Sequence, residues 1–167
     1  MTLAMPETYG YGKFSKDDLP MLPNLFRLTV RQIRNGKEYT EEPAAVRQLS
    51  VINNCFNKSD TIIVATDAGR EGELIFRYVY SYLNSTKPFK RLWISSLTDK
   101  AIREGLSALR PGHDFDNLYM AGKARSEADW LVGINASRAL FINAGKNSYT
   151  IGRGTDTDTL DNMQTLS

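Results

Sequence analysis

Apolar and polar positions follow two periods along this chain, and the change from one to the other marks its elements. Residues 1–42 are punctuated by Pro6, Gly10, Gly12, Pro20, Pro23, Asn35 and Gly36, which predicts turns and short extended segments. Within them, Leu25-Phe26-Arg27-Leu28-Thr29-Val30 alternates roughly and reads as a strand. Over residues 43–57, Val46, Leu49, Ile52, Cys55 and Phe56 recur at helical spacing, with Pro43 in the first turn. Cys55 in that stripe reads as a small buried hydrophobe. Residues 61–66, Thr-Ile-Ile-Val-Ala-Thr, form a short β-branched run that fits a buried strand of a parallel sheet. A turn over residues 67–72 leads into a helix over 73–83, with Leu74, Ile75, Tyr78, Val79, Tyr82 and Leu83 on one face. Lys90-Arg91-Leu92-Trp93-Ile94 reads as the next strand. Ser96 or Thr98 can cap a further helix striped by Ala101, Ile102, Leu106 and Leu109, which Arg110-Pro111-Gly112 stops.

This order of helix, strand, helix, strand, helix predicts an α/β fold with a parallel pair joined by a crossover. Over residues 114–141 the pattern becomes one long helical stretch, with Leu118, Ala121, Ala124, Ala128, Leu131, Val132, Asn135 and Ala139 at threes and fours. A domain boundary is therefore expected near Pro111-Gly112. The 167 residues suffice for one domain, or one and a part, with enough apolar content for a core. A net charge of +2 neither favours nor excludes nucleic acid, because charge can be segregated on one face. Cys55 has no partner for an internal disulfide, which fits a reducing cytoplasm. No apolar run approaches the roughly 18 residues of a membrane span, and the first residues lack the features of a signal peptide.

The chemistry concentrates in Ala65-Thr66-Asp67-Ala68-Gly69-Arg70-Glu71-Gly72-Glu73-Leu74-Ile75. Three acids and an arginine follow the carboxyl end of a predicted parallel strand, where open α/β sheets bind ligands. Clustered carboxylates repel one another unless a cation neutralises them, and such oxygen donors suit Mg²⁺. A plainer reading is open as well: Asp67 caps the following helix, and Glu71 and Glu73 complement its dipole. The Gly-rich phosphate loop and the dinucleotide fingerprint are both absent. His113, beside Pro111-Gly112, reads as an exposed loop residue without chemistry.

The run from Ala65 through Arg77 resembles the Toprim signature of bacterial type IA DNA topoisomerases of the topoisomerase III kind. The resemblance continues in residues 90–98, in Ala124-Arg125-Ser126-Glu127-Ala128-Asp129-Trp130 and on to Leu140, and near the start in Leu3-Ala4-Met5-Pro6-Glu7. It implies a Toprim-like parallel sheet flanked by helices and lacking its first strand, followed by a long helix of the next domain. The implied organisation is a partial Toprim domain over 1–112, the helical start of the DNA-gripping domain over 113–153, and an aberrant tail over 154–167. It implies a metal site of Asp67, Glu71 and Glu73 for Mg²⁺, with Glu71 and Arg70 catalytic. It assigns DNA contacts to Lys123, Arg125, Asp129 and Arg138, with single-stranded DNA preferred and no membrane or known protein partner. Arg125 and Asp129 also suit a plain i,i+4 ion pair, and Trp130 suits the core better than a stacked base.

The family pattern has a second Asp where Gly69 stands here, which leaves fewer ligands. Glu127 stands where topoisomerase III sequences often carry a basic residue. The resemblance places a Glu-bearing first strand before Leu3, and the nucleophilic Tyr in a later domain. None of the eight tyrosines stands in a matching context, and Tyr78, Tyr80 and Tyr82 read as structural. The fragment alone is therefore expected to be inactive. After Arg153 the family continues Val-Gln-Thr-Pro-Thr-Leu, whereas this chain reads Gly154-Thr155-Asp156-Thr157-Asp158. With suitable codons, the neighbouring frame spells the family's continuation, so a single-nucleotide frameshift and an unselected, disordered tail are expected. Sequencing the gene decides that: a neighbouring frame without the family's residues would end the idea.

Overall fold

The computed structural model describes residues 1–12, 15–35 and 38–151, so the expectations about the tail from Gly154 lie outside the described residues. The chain is α/β and divides into two compact units. One comprises Met1–Met5 with Pro23–Trp130, and the other Pro6–Leu22 with the chain from Leu131.

The first unit opens with β1 (Thr2–Leu3) against β2 (Leu28–Thr29), antiparallel. The hairpin of β3 (Gln32–Asn35) and β4 (Glu38–Glu41) follows. Then come α1 (Pro43–Lys58), β5 (Ile62–Val64), α2 (Arg70–Tyr82), β6 (Phe89–Arg91), α3 (Asp99–Ser107) and β7 (Arg110–Pro111). The last helix, α4 (Asp116–Ile151), begins in this unit. β5 and β6 run parallel in the register Ile62↔Phe89, Ile63↔Lys90 and Val64↔Arg91. The α2 crossover between them supplies the βαβ connection that the alternating pattern predicts.

Alternation along β5 buries Ile62 and Val64 and leaves Ile63 exposed. The two buried residues pack with Phe76 of α2, and Phe56, Tyr80 and Phe89 close the cluster. The Phe76 and Phe89 ring centroids lie 4.9 Å apart, within the range of favourable aromatic pairs. The Tyr80 hydroxyl donates to the Lys87 carbonyl at 2.8 Å, so this tyrosine is structural, as expected. Thr98 caps α3, its Oγ1 accepting from the Ala101 N–H at 3.3 Å.

Three expectations need correction. The sheet is mixed rather than parallel throughout, because Arg110-Pro111 not only ends α3 but pairs antiparallel with β6. Proline is tolerated there because β7 is an edge strand of the sheet. The strand expected over residues 25–30 contracts to Leu28–Thr29, since β1 offers only Thr2 and Leu3 as partners. Cys55 is exposed. The half-buried line of α1 is Ala45, Leu49, Ile52 and Phe56, and Val46 and Cys55 stand one position off it.

In the second unit, the Asn135 side chain clasps the backbone of Met21. Its Oδ1 accepts from the Met21 N–H at 2.6 Å, and its Nδ2 donates to the Met21 carbonyl at 3.0 Å. The Tyr11 hydroxyl accepts from the Leu22 N–H at 3.1 Å. A side-chain amide thus satisfies a loop backbone that has no strand beside it. Among the described residues, no helix is long and apolar enough to cross a membrane.

Candidate metal and phosphate site

After Val64 the chain leaves β5 and turns into α2. The helix starts at Arg70 behind an extended Gly69, and no side chain caps it. Asp67 is therefore not the capping residue, and that half of the plainer reading falls. Within the turn, the Gly69 N–H donates to the Asp67 carbonyl at 2.9 Å. The Thr66 hydroxyl donates to the Gly72 carbonyl at 2.7 Å. A Cβ at Gly72 would overlap the Asp67 carbonyl, so the helix can come this close only without a side chain. Gly69 differs: its φ of −179° is ordinary extended backbone, and a Cβ there would meet nothing within 4 Å. Asp67, Arg70 and Glu71 are all exposed on this turn and the first turn of α2.

Glu73 does not join them. Its side chain is fully buried, and both carboxylate oxygens face arginines. Oε1 accepts from Nε of Arg77 at 2.8 Å, an i,i+4 pair within α2. Oε2 lies 3.1 Å from Nε of Arg91, an ion pair whose approach is too oblique for a hydrogen bond. The expectation that Glu73 is a metal ligand is corrected: it turns inward because buried Arg91 and half-buried Arg77 need a counter-charge. Among the described residues, no three His, Cys, Asp or Glu side chains converge as a metal cage.

Arg91 is the residue that sequence reasoning missed. It is fully buried in β6. Its Nη1 donates to the carbonyls of Thr66 at 2.7 Å and Val64 at 3.0 Å, and its Nη2 to that of Asp67 at 2.6 Å. Burial pulls the Arg91 guanidinium below its ordinary pKa, and Glu73 and Asp67 partly oppose this. Burial also lowers Arg77, but its bonds to Glu73 and Asp116 outweigh that and leave it raised. Arg77 further donates to the Gly112 carbonyl at 2.9 Å and to Asp116 at 2.6 Å. The available signal was a charge in the middle of a strand pattern and a Glu on the apolar face of the preceding helix.

The residues expected to meet DNA are engaged within the protein. Arg125 lies 3.7 Å from Asp129 and Lys123 lies 3.8 Å from Glu127, both i,i+4 pairs on α4. In the second unit Arg138, with only 13% of its side chain exposed, contacts Glu7 at 3.3 Å. Trp130 is a packing residue: its indole N–H donates to the Ala4 carbonyl at 2.9 Å, and it meets Phe26 edge-on at 5.3 Å. A cleft of about 390 Å³ lies beside Glu71, walled by Leu3, Leu74, Ile75, Tyr78 and Trp130. Its walls come from distant segments, which is why no local pattern announces it. His113 is exposed, as expected.

In this α/β protein the exposed acids and arginine thus stand at the carboxyl end of a parallel strand, the edge at which open α/β sheets commonly bind ligands. The comparisons with known proteins then say what the chain is similar to. No family model matches the chain. Over 142 residues, 84% of the chain, it is 49% identical to DNA topoisomerase 3 of Bacillus cereus and to that of Bacillus thuringiensis. It is 46% identical to DNA topoisomerase 3 of Bacillus subtilis over the same length. The chain corresponds to a segment of a bacterial topoisomerase III, as the resemblance implied. It spans 18% of the length of these relatives.

Proposed function

We propose that this chain carries the acidic, metal-handling edge of a type IA topoisomerase. On this reading the α/β unit is a Toprim-like domain, the chain from about residue 113 begins the DNA-gripping domain, and the setting is cytoplasmic. The carrying observation is the exposed pair Asp67, on the turn before α2, and Glu71, in its first helical turn, with Arg70 between them in sequence. Mg²⁺ takes one or two protein carboxylates and keeps several waters, so two exposed acids fit it where a closed cage would not. Mg²⁺ bound there would screen phosphate charge during strand cleavage and religation.

The chain's own groups do the rest. Arg70 offers a planar fork to a phosphate oxygen pair. The uncapped amides of the first turn of α2 present N–H donors to the same anion. Glu71, at the edge of the apolar cleft, is placed to exchange a proton with a hydroxyl at the broken strand end. The nucleophilic tyrosine is supplied from elsewhere in such an enzyme. The whole reaction is single-strand cleavage, strand passage and religation without ATP, an isomerisation of DNA topology in which the enzyme prefers to hold single-stranded DNA. The chain alone is expected to bind metal and not to relax DNA. Calorimetric titration of Mn²⁺ into the chain and into Asp67→Asn and Glu71→Gln tests this. Binding to the native chain that weakens in both variants supports it, and no binding to the native chain overturns it.

A further inference from the structure

We infer that Glu73 is a positioning residue that acts through Arg91 to fix the turn bearing Asp67. This rests on the functional reading above only for its consequence at the metal, not for its geometry. Arg91 reaches the turn from the neighbouring strand and ties down the carbonyls of Thr66 and Asp67 at 2.7 and 2.6 Å. Those two bonds need the guanidinium plane to lie across the end of β5. The Val64 and Leu92 carbonyls hold Nη1 at 3.0 and 3.3 Å, and the Glu73 carboxylate, 3.1 Å from Nε, supplies the charge that keeps the guanidinium in this buried seat. Glu73 is in turn held by Arg77 from one helical turn away, and Arg77 is seated on the Phe89 ring at 4.6 Å. The chain of contacts therefore runs from the aromatic core, through Arg77, Glu73 and Arg91, to the main chain of the exposed acid.

A desolvated cation with four carbonyls and one carboxylate around it is stable only while the carboxylate stays. Without that charge, Arg91 is drawn towards solvent and the turn loses its two strongest tethers. Glu73 thus works on Asp67 without touching a ligand.

Hydrogen exchange of backbone amides tests this on the full chain. In Glu73→Gln, the amides of residues 67–70 are expected to exchange about tenfold faster, while those of α4 keep their native rates. Should Glu73→Gln fail to fold, the double variant E73M/R91M replaces the ion pair by apolar groups and should fold. It should show the same release of the turn. The Mn²⁺ affinity of the native chain should fall about fivefold in Glu73→Gln. In Asp67→Asn binding should weaken while turn exchange stays native. Native exchange of residues 67–70 in both the single and the double variant overturns the inference. A native chain that takes no Mn²⁺ overturns the proposed function and leaves the exchange result to decide the positioning role.

Discussion

The pair Glu73–Arg77 on α2 and the pair Arg125–Asp129 on α4 each set an arginine against an acid at the same four-residue spacing. The first buries its carboxylate completely and leaves 15% of the arginine side chain exposed; the second leaves 59% and 74% exposed. Spacing made both pairs possible, but burial decides their worth. A surface pair of this kind contributes at most about 1 kcal/mol, because water already solvates both charges. A buried network contributes little net free energy when whole, yet removing one member leaves a charge stranded at a cost of about 3–5 kcal/mol.

The sharpest way to break this contrast is Arg91→Met, which leaves the buried Glu73 with Arg77 alone and its Oε2 without a cation, and should cost about 3–5 kcal/mol in urea unfolding. A loss under 1 kcal/mol would show that the pair is not effectively desolvated. Restoring neutrality in E73M/R91M should recover most of that loss. Next in size is Thr98→Ala, which removes the α3 cap and should cost about 1 kcal/mol with no effect on metal binding. Tyr78 and Tyr119 give a pH test. Burial raises both phenols above their ordinary value of 10.0, so their neutral forms favour folding. Their contribution is whole below pH 10 and is lost as pH rises through the higher folded values. The fall in unfolding midpoint between pH 9 and about 11.5 should therefore flatten in Tyr78→Phe, and an equal fall in both chains would refute the shift. Smallest of all, Arg125→Ala should change stability by less than about 0.5 kcal/mol.

These contrasts also show what can be read from the sequence. Period and composition located α1, β5, α2, β6 and α3, because each buries residues at its own repeat. They also marked the turn that holds Asp67, Arg70 and Glu71. Local patterns could not reveal β7, a two-residue strand whose existence depends on the neighbouring β6. Nor could they tell Glu73 from Glu71. Both are acids in the first turn of α2, and what separates their fates is the pairing of Glu73 with Arg77 and with Arg91, the latter eighteen residues beyond it. The stripe on α1 shows the same limit from the apolar side, where Cys55 and Phe56 are neighbours and only Phe56 meets the core.

Gly69 leaves a door ajar in an otherwise tightly fitted corner. Its main chain accepts any amino acid and open space surrounds its α-carbon, whereas Gly72, three residues on, tolerates no added atom. An aspartate grafted at position 69 would thus give the corner a further acidic oxygen donor at no conformational expense. On the proposed metal reading, one substitution at half-buried Gly69 retunes the affinity for a cation without disturbing the scaffold beneath.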